Sequence, residues 1–201
     1  GSVVNGFESM AGLINLEMKQ PETGEKFYFN LYGNRFGRVE ANVHTAHKFN
    51  SKWSTMNFFH FSDIFMENDM NKDGFRDMPI GQLGAIMSRW TYYGKNYETK
   101  FGIKANYSDQ LGGQIGYQPD DASTTLYRGI FKSEHLELFS KQGIFIKKRA
   151  QGSLGLITQL EYHHMITNLG LNEYEGTEKK FYFNSIYNDI IGNTNHTYKT
   201  G

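Results

Sequence analysis

No cysteine occurs in the 201 residues, which removes a disulfide framework, a thiolate metal site and a cysteine nucleophile. For a chain this long, that absence neither proves nor excludes an oxidising compartment. Net charge is also missing: 21 Lys and Arg balance 21 Asp and Glu, leaving no positive field to hold a phosphate backbone, so nucleic acid is not an expected partner. No stretch approaches the roughly 18 apolar residues of a spanning helix, which excludes a helical membrane protein. The opening, Gly1-Ser2-Val3-Val4-Asn5-Gly6, lacks the basic region and apolar run of a signal peptide. Only 3 prolines are present. No Ser/His/Asp order, paired-carboxylate motif or phosphate-cradling glycine loop emerges, so enzyme activity is not expected. At 23.2 kDa, the chain is one domain of ordinary size or a piece of a larger one.

What is abundant is aromatic. Sixteen Phe, 13 Tyr and 2 Trp sit in a chain whose mean hydropathy is −0.59. A soluble core would gather them into apolar runs, whereas a sheet with two unlike faces would interleave them with polar residues at period two. The chain interleaves them. From Tyr97 to Tyr107, odd positions read Tyr97, Thr99, Phe101, Ile103, Ala105 and Tyr107, against Glu98, Lys100, Gly102, Lys104 and Asn106. At ~3.3 Å per residue and ~45° tilt, the steps between the two tyrosines rise roughly 23 Å, close to the ~25 Å apolar band of an outer-membrane barrel.

Val39, Ala41, Val43 and Thr45 alternate with Arg38, Glu40, Asn42 and His44. Leu154, Leu156, Thr158, Leu160 and Tyr162 alternate with Gly155, Ile157, Gln159, Glu161 and His163. Residues 27–32 and 181–188 read as strands aromatic on both faces, and 134–146 completes the set. Trp53 to Phe61 is strand-like despite Asn57 falling on the face of Trp53 and Phe59. Ile80, Leu83, Met87 and Trp90 are spaced as in a helix begun by Pro79, although Gly81, Gly84 and Trp90-Thr91-Tyr92-Tyr93 favour a strand. After a first turn at 34–37, links alternate in length. They are short at 50–52, 94–96, 148–152 and 192–195, and longer at 62–79, 109–131 and 166–178, as in a transmembrane β-barrel with periplasmic turns and outer loops. The closing residues His196 to Gly201 read as the opening of a further strand, so a fragment is expected.

Particular stretches carry a resemblance. Gly1 to Leu16, with Ser2-Val3, Ala11-Gly12 and Ile14-Asn15-Leu16, resembles the end of the plug domain in TonB-dependent outer-membrane receptors. Leu31-Tyr32-Gly33-Asn34 with Phe36-Gly37-Arg38, Asn71-Lys72-Asp73-Gly74-Phe75, Phe101-Gly102-Ile103-Lys104-Ala105 and Tyr198-Lys199-Thr200-Gly201 are similar to first barrel strands of the cobalamin-receptor-like subgroup. The resemblance implies an all-β antiparallel transmembrane barrel of about 22 strands filled by a plug. Residues 1–24 would be the C-terminal end of that plug and residues 25–201 the N-terminal part of the barrel, roughly eight strands and the opening of a ninth. Implied with it are the outer membrane of a Gram-negative bacterium, import of a corrinoid or metal chelate, outer-membrane lipid around the barrel, a TonB complex reached through a region this chain lacks, and a capping surface lipoprotein in some cases. Two other readings are weighed: a self-contained small barrel with a structural or adhesive role, and a soluble β-sandwich or lipocalin-like binder.

The sharpest local motif is Asp69-Met70-Asn71-Lys72-Asp73-Gly74-Phe75-Arg76-Asp77. It offers oxygens from Asp69, Asn71, Asp73 and Asp77, with the Phe75 carbonyl and a glycine at the sharp turn, a set that suits calcium. Ile80 stands where a bidentate Glu would complete the loop, so Asp109, Asp120 or Asp121 would have to help; an ion-free Asx-rich turn is the rival reading. His44 with His47, and His163 with His164, would point to opposite faces of strands and not share a metal. Gly112-Gly113 reads as a loop feature, Lys147-Lys148-Arg149 as a solvated turn, and Tyr117 and Tyr127 as residues that stack on a ligand or pack their loop. Glu40, Glu98, Lys100, Lys104 and Gln159 are expected to line the lumen.

Overall fold

The structure is a computed structural model that describes residues 18–119, 125–146, 152–193 and 195–201. Nine strands follow in order: β1 (Phe27–Gly33), β2 (Arg38–Lys48), β3 (Trp53–Ile64), β4 (Ile80–Tyr93), β5 (Tyr97–Gly113), β6 (Arg128–Phe145), β7 (Ser153–Leu169), β8 (Asn172–Ile190) and β9 (Thr197–Thr200). Each pairs antiparallel with its chain neighbours in a single sheet of order β1 to β9. Among the described residues β1 and β9 are its unpaired edges, so the sheet does not close on itself. Among the described residues no second sheet lies across it. The fold is therefore all-β, an open antiparallel meander of the kind a partial barrel presents. The expectation for residues 79–92 resolves to strand: β4 runs through both glycines, because its residues pair on both sides, Ile86 with Phe59 and with Ala105.

The turns have a simple chemical origin. Asn34 Oδ1 accepts from the Phe36 and Arg38 amides at 3.0 and 3.2 Å, and Asn50 Oδ1 accepts from those of Lys52 and Trp53 at 2.8 and 2.9 Å. In both cases a short amide side chain satisfies backbone donors that the reversing chain would leave open. Two links are long, 65–79 and 114–127, and both lie at the same end of the sheet as the 34–37 turn.

The third expected long link is not there. Residues 166–178 belong to β7 and β8, joined by a tight turn at Gly170 and Leu171 with Gly170 at φ 60. Asn168 pairs with Glu173 and Thr167 with Tyr174. The end of β7 mixes apolar and polar residues on each face, and β8 opens polar on both with Asn172, Glu173, Glu175 and Glu178, which removes the alternation by which a strand is recognised. Gly112 and Gly113 are likewise the end of β5 and not loop. Gly113 adopts φ 88, and a Cβ there would collide with the Tyr127 carbonyl, so a bare backbone is needed where the chain leaves the sheet. The Lys147-Lys148-Arg149 turn, Asp120 and Asp121 lie outside the described residues.

Candidate functional site

Register places the side chains in rows, and the rows separate two chemistries. On one face run Leu31, Ala41 and Phe61, then Phe29, Val43, Phe59, Ile86, Ala105 and Leu136, then Ile103, Leu138, Leu160 and Phe181. These side chains are not covered: Leu31 is 66% exposed, Leu160 49% and Phe181 67%. Exposed apolar residues scattered singly are ordinary, whereas one continuous surface across eight strands is not. Aromatic rings cluster at the short-turn end of this face. Phe49 stacks on Trp90 at 5.4 Å, Trp53 lies 4.9 Å from Tyr92, and Tyr92 lies 6.2 Å from Tyr97. Towards the other end the face turns polar past Tyr107 and Tyr162, with Glu134, His164 and Thr177 in register. Asn57, the residue that spoiled the alternation of β3, is satisfied in place. Its amide donates to Thr45 Oγ1 at 3.2 Å and its carbonyl accepts from Ser88 Oγ at 2.7 Å, forming a short polar row between β2 and β4.

The opposite face is polar and interconnected. One row reads His44, Phe58, Met87, Lys104, Glu137, Glu161 and Lys180, and the next Asn42, His60, Ala85, Asn106, His135 and His163. Lys104 Nζ donates to both Glu137 oxygens at 2.9 Å, and His135 Nε2 lies 2.9 Å from Glu161 Oε1. Residues expected in a lumen, Glu40, Glu98, Lys100, Lys104 and Gln159, all fall on this face. So does the segment that enters the sheet: Arg89 donates to the Lys19 carbonyl, Glu22 accepts from Ser54 Oγ at 3.1 Å, and Met56 is fully buried. Lys19 lies 2.8 Å from Glu25, whose carboxyl it holds down at about 2, well below the usual carboxylate range. The histidines part as strand geometry requires. His44 stacks on Tyr28 while His47 meets Phe49, and His163 approaches Ser133 while His164 meets Thr177 across the sheet.

The 69–77 loop is organised by its own backbone. Asp69 oxygens accept from the Asp73 and Gly74 amides at 3.1 and 2.9 Å, Asp73 accepts from Phe75 at 2.8 Å, and Asp77 accepts from Met70 at 2.7 Å. Asn71 Oδ1 accepts from the Asp73 amide at 3.2 Å, and the Phe75 carbonyl lies in the stretch bridged to Gln114. Asp109 is held by Lys132 at 3.1 Å. Among the described residues no three His, Asp or Glu side chains gather as metal ligands.

Arg76 is the residue that sequence reasoning passed over, since nothing distinguishes one arginine inside an acidic motif. It is buried between the two long loops. Its guanidinium donates to the Gly112, Gln114 and Tyr117 carbonyls at 3.0, 2.8 and 2.9 Å and pairs with Glu67. Tyr117 is 4% exposed and packs the loop, whereas Tyr127 stays half-exposed beside Phe75 at 6.1 Å. Compared with known protein families, with curated proteins and with solved structures, the chain matches none.

Proposed function

We propose that this chain is part of the wall of a TonB-dependent outer-membrane receptor, a barrel that imports a corrinoid or metal chelate across the outer membrane of a Gram-negative bacterium. The observation that carries the reading is the uncovered apolar face, continuous over eight strands, bordered by aromatic rings and backed by a polar, hydrogen-bonded face. In water such a face would be an aggregation surface; against lipid it is the favoured exterior, with Trp and Tyr at the headgroup level. The long strands suit it too. The 17 to 19 residues of β5 to β8 rise roughly 40 Å at a ~45° tilt, so about 15 Å would stand clear of a ~25 Å apolar band, where β8 is polar on both faces.

In this reading residues 18–24 are the end of a plug, lying against the lumenal face, and residues 25–201 are barrel. The unpaired edges suit a barrel continued by further strands and weigh against a self-contained one, since lipid offers no partner for open backbone groups. A lipocalin-like binder would put the apolar face inside, against whatever the sheet encloses, whereas here the entering segment lies on the polar face.

The chain has no cysteine, so single-cysteine variants are clean probes. In vesicles containing brominated lipid, a fluorophore at Ile103→Cys should be strongly quenched and one at Lys104→Cys should not. Equal quenching at both positions, or a monomer soluble without detergent, would remove the membrane reading. Import is tested separately, by corrinoid uptake in cells carrying the full-length receptor with and without a functional TonB complex. Uptake indifferent to that complex would sink the receptor assignment while leaving the barrel. A surface lipoprotein partner would be sought by co-purification with the full-length receptor.

Calcium in the 69–77 loop is a smaller part of the proposal. An ion there would have to compete with amides that Asp69 and Asp73 already hold, so millimolar calcium should raise the thermal midpoint by only a few degrees. No change on adding calcium or on chelation would take it out of the reading.

A further inference from the structure

On the polar face a cavity of about 470 Å³ opens beside the entering segment, with Arg89, Lys100, Lys104, Lys141, Glu137 and Phe139 in its lining. Four cations face one carboxylate. Lys104 is matched by Glu137 at 2.9 Å, which leaves the charges of Arg89, Lys100 and Lys141. Lys100 and Lys141 are direct register partners on β5 and β6. Like charges placed opposite one another across a strand pair are destabilising unless something negative lies between them. Among the described residues neither lysine side chain has a hydrogen bond or an ion pair.

Arg89 supplies the second observation. It is 7% exposed, borders the cavity and gives one bond to the Lys19 carbonyl, yet its Nε has no hydrogen-bond partner. A buried guanidinium with an open donor is costly, and an oxyanion is the group whose geometry matches its fork. Glu22 is near enough for its charge to act on Arg89, but its hydrogen bond is with Ser54 Oγ, and the Arg89 Nε donor stays open. Met87, Phe139 and Ile157 add an apolar wall, and the Phe139 ring lies over Gly102, where a Cβ would collide with it.

We propose that this cavity is a binding site for a small organic anion, its carboxylate or phosphate held by Arg89, Lys100 and Lys141 and its apolar body lying against Phe139. The volume fits a small molecule. Because Met18 and Gln20 also line the cavity and Arg89 holds Lys19, an occupant touches the entering segment as well as the wall. The site needs only the polar face of the sheet and the entering segment beside it, so it stands or falls apart from the import reading.

The test is calorimetric titration of the full-length chain in detergent micelles with phenyl phosphate and, separately, with inorganic phosphate. Phenyl phosphate should bind saturably and more tightly than inorganic phosphate, since only it reaches the apolar wall. The double variant Lys100→Gln, Lys141→Gln removes one half-buried and one exposed charge and is expected to fold; it should bind about tenfold more weakly or worse. Lys132→Gln, on the opposite face, should bind as the parent does. Absence of saturable binding, or unchanged affinity in the double variant, would overturn the site. Equal affinity for the two phosphates would overturn its assignment to an organic anion.

Discussion

The two faces of this sheet are built from the same strands, yet what each side chain stands to lose differs. On one face a half-buried Ile103 and the exposed Leu138, Leu160 and Phe181 lie side by side with no polar partner. One register row away, Lys104, Glu137, Glu161 and Lys180 form a charged row in which Lys104 and Glu137 are closely paired. A substitution is felt through the surrounding medium on the first face and through lost partners on the second. Only the first should therefore depend on lipid.

The sharpest way to break the comparison is to exchange the chemistries. Ile103→Arg puts a cation near the middle of the proposed apolar band and should cost about 2–4 kcal/mol of folding stability in lipid, while Lys104→Arg should be close to neutral. Urea titration in vesicles reads both; equal tolerance at the two positions would end the assignment of faces. Next in size is Lys104→Met. It strands Glu137, which is 7% exposed, and should cost about 2 kcal/mol, with much of the loss recovered in the double variant Lys104→Met, Glu137→Leu. Recovery in the double variant distinguishes a lost partner from a lost shape.

The exception on the apolar face sharpens the contrast further. Asn57→Ala removes two hydrogen bonds, to Thr45 and Ser88, and should cost about 1 kcal/mol, whereas Phe59→Leu, beside it on an uncovered surface, should cost less. Equal losses would mean that the polar row is incidental. The smallest effect lies off the sheet. The Glu25 carboxyl falls from an ordinary 4.5 to about 2 beside Lys19, so its contribution is present above the ordinary value and is lost as pH falls through about 2. Since the carboxylate is exposed, solvent screens the contact; NMR titration should give a midpoint near 2 that rises towards the ordinary value in Lys19→Gln, the backbone hydrogen bond at Glu25 holding back the rest.

Much of this was legible because period two is a property of residue order. Alternation from Tyr97 to Tyr107 placed Ile103 and Lys104 on opposite faces before any partner was known, and the same parity separated His44 from His47 and His163 from His164. It failed where a strand carries polar side chains on both faces. Residues 166–178 read as loop, and only register with their neighbours makes them β7 and β8. The acidic motif at 69–77 was visible, but not that its oxygens turn towards the loop's own amides, because backbone donors leave no mark in the sequence.

The sequence by itself determined the strand periodicity, the two unlike faces and the positions of the asparagine-led turns, since each rests on contacts between residues close in the chain. Tertiary structure decided what lies beside what: Lys100 against Lys141, Arg89 against Lys19, and Arg76 buried between two loops. Those juxtapositions depend on strand register and on the paths of loops, which sum over many distant pairings and are fixed only when the whole sheet forms.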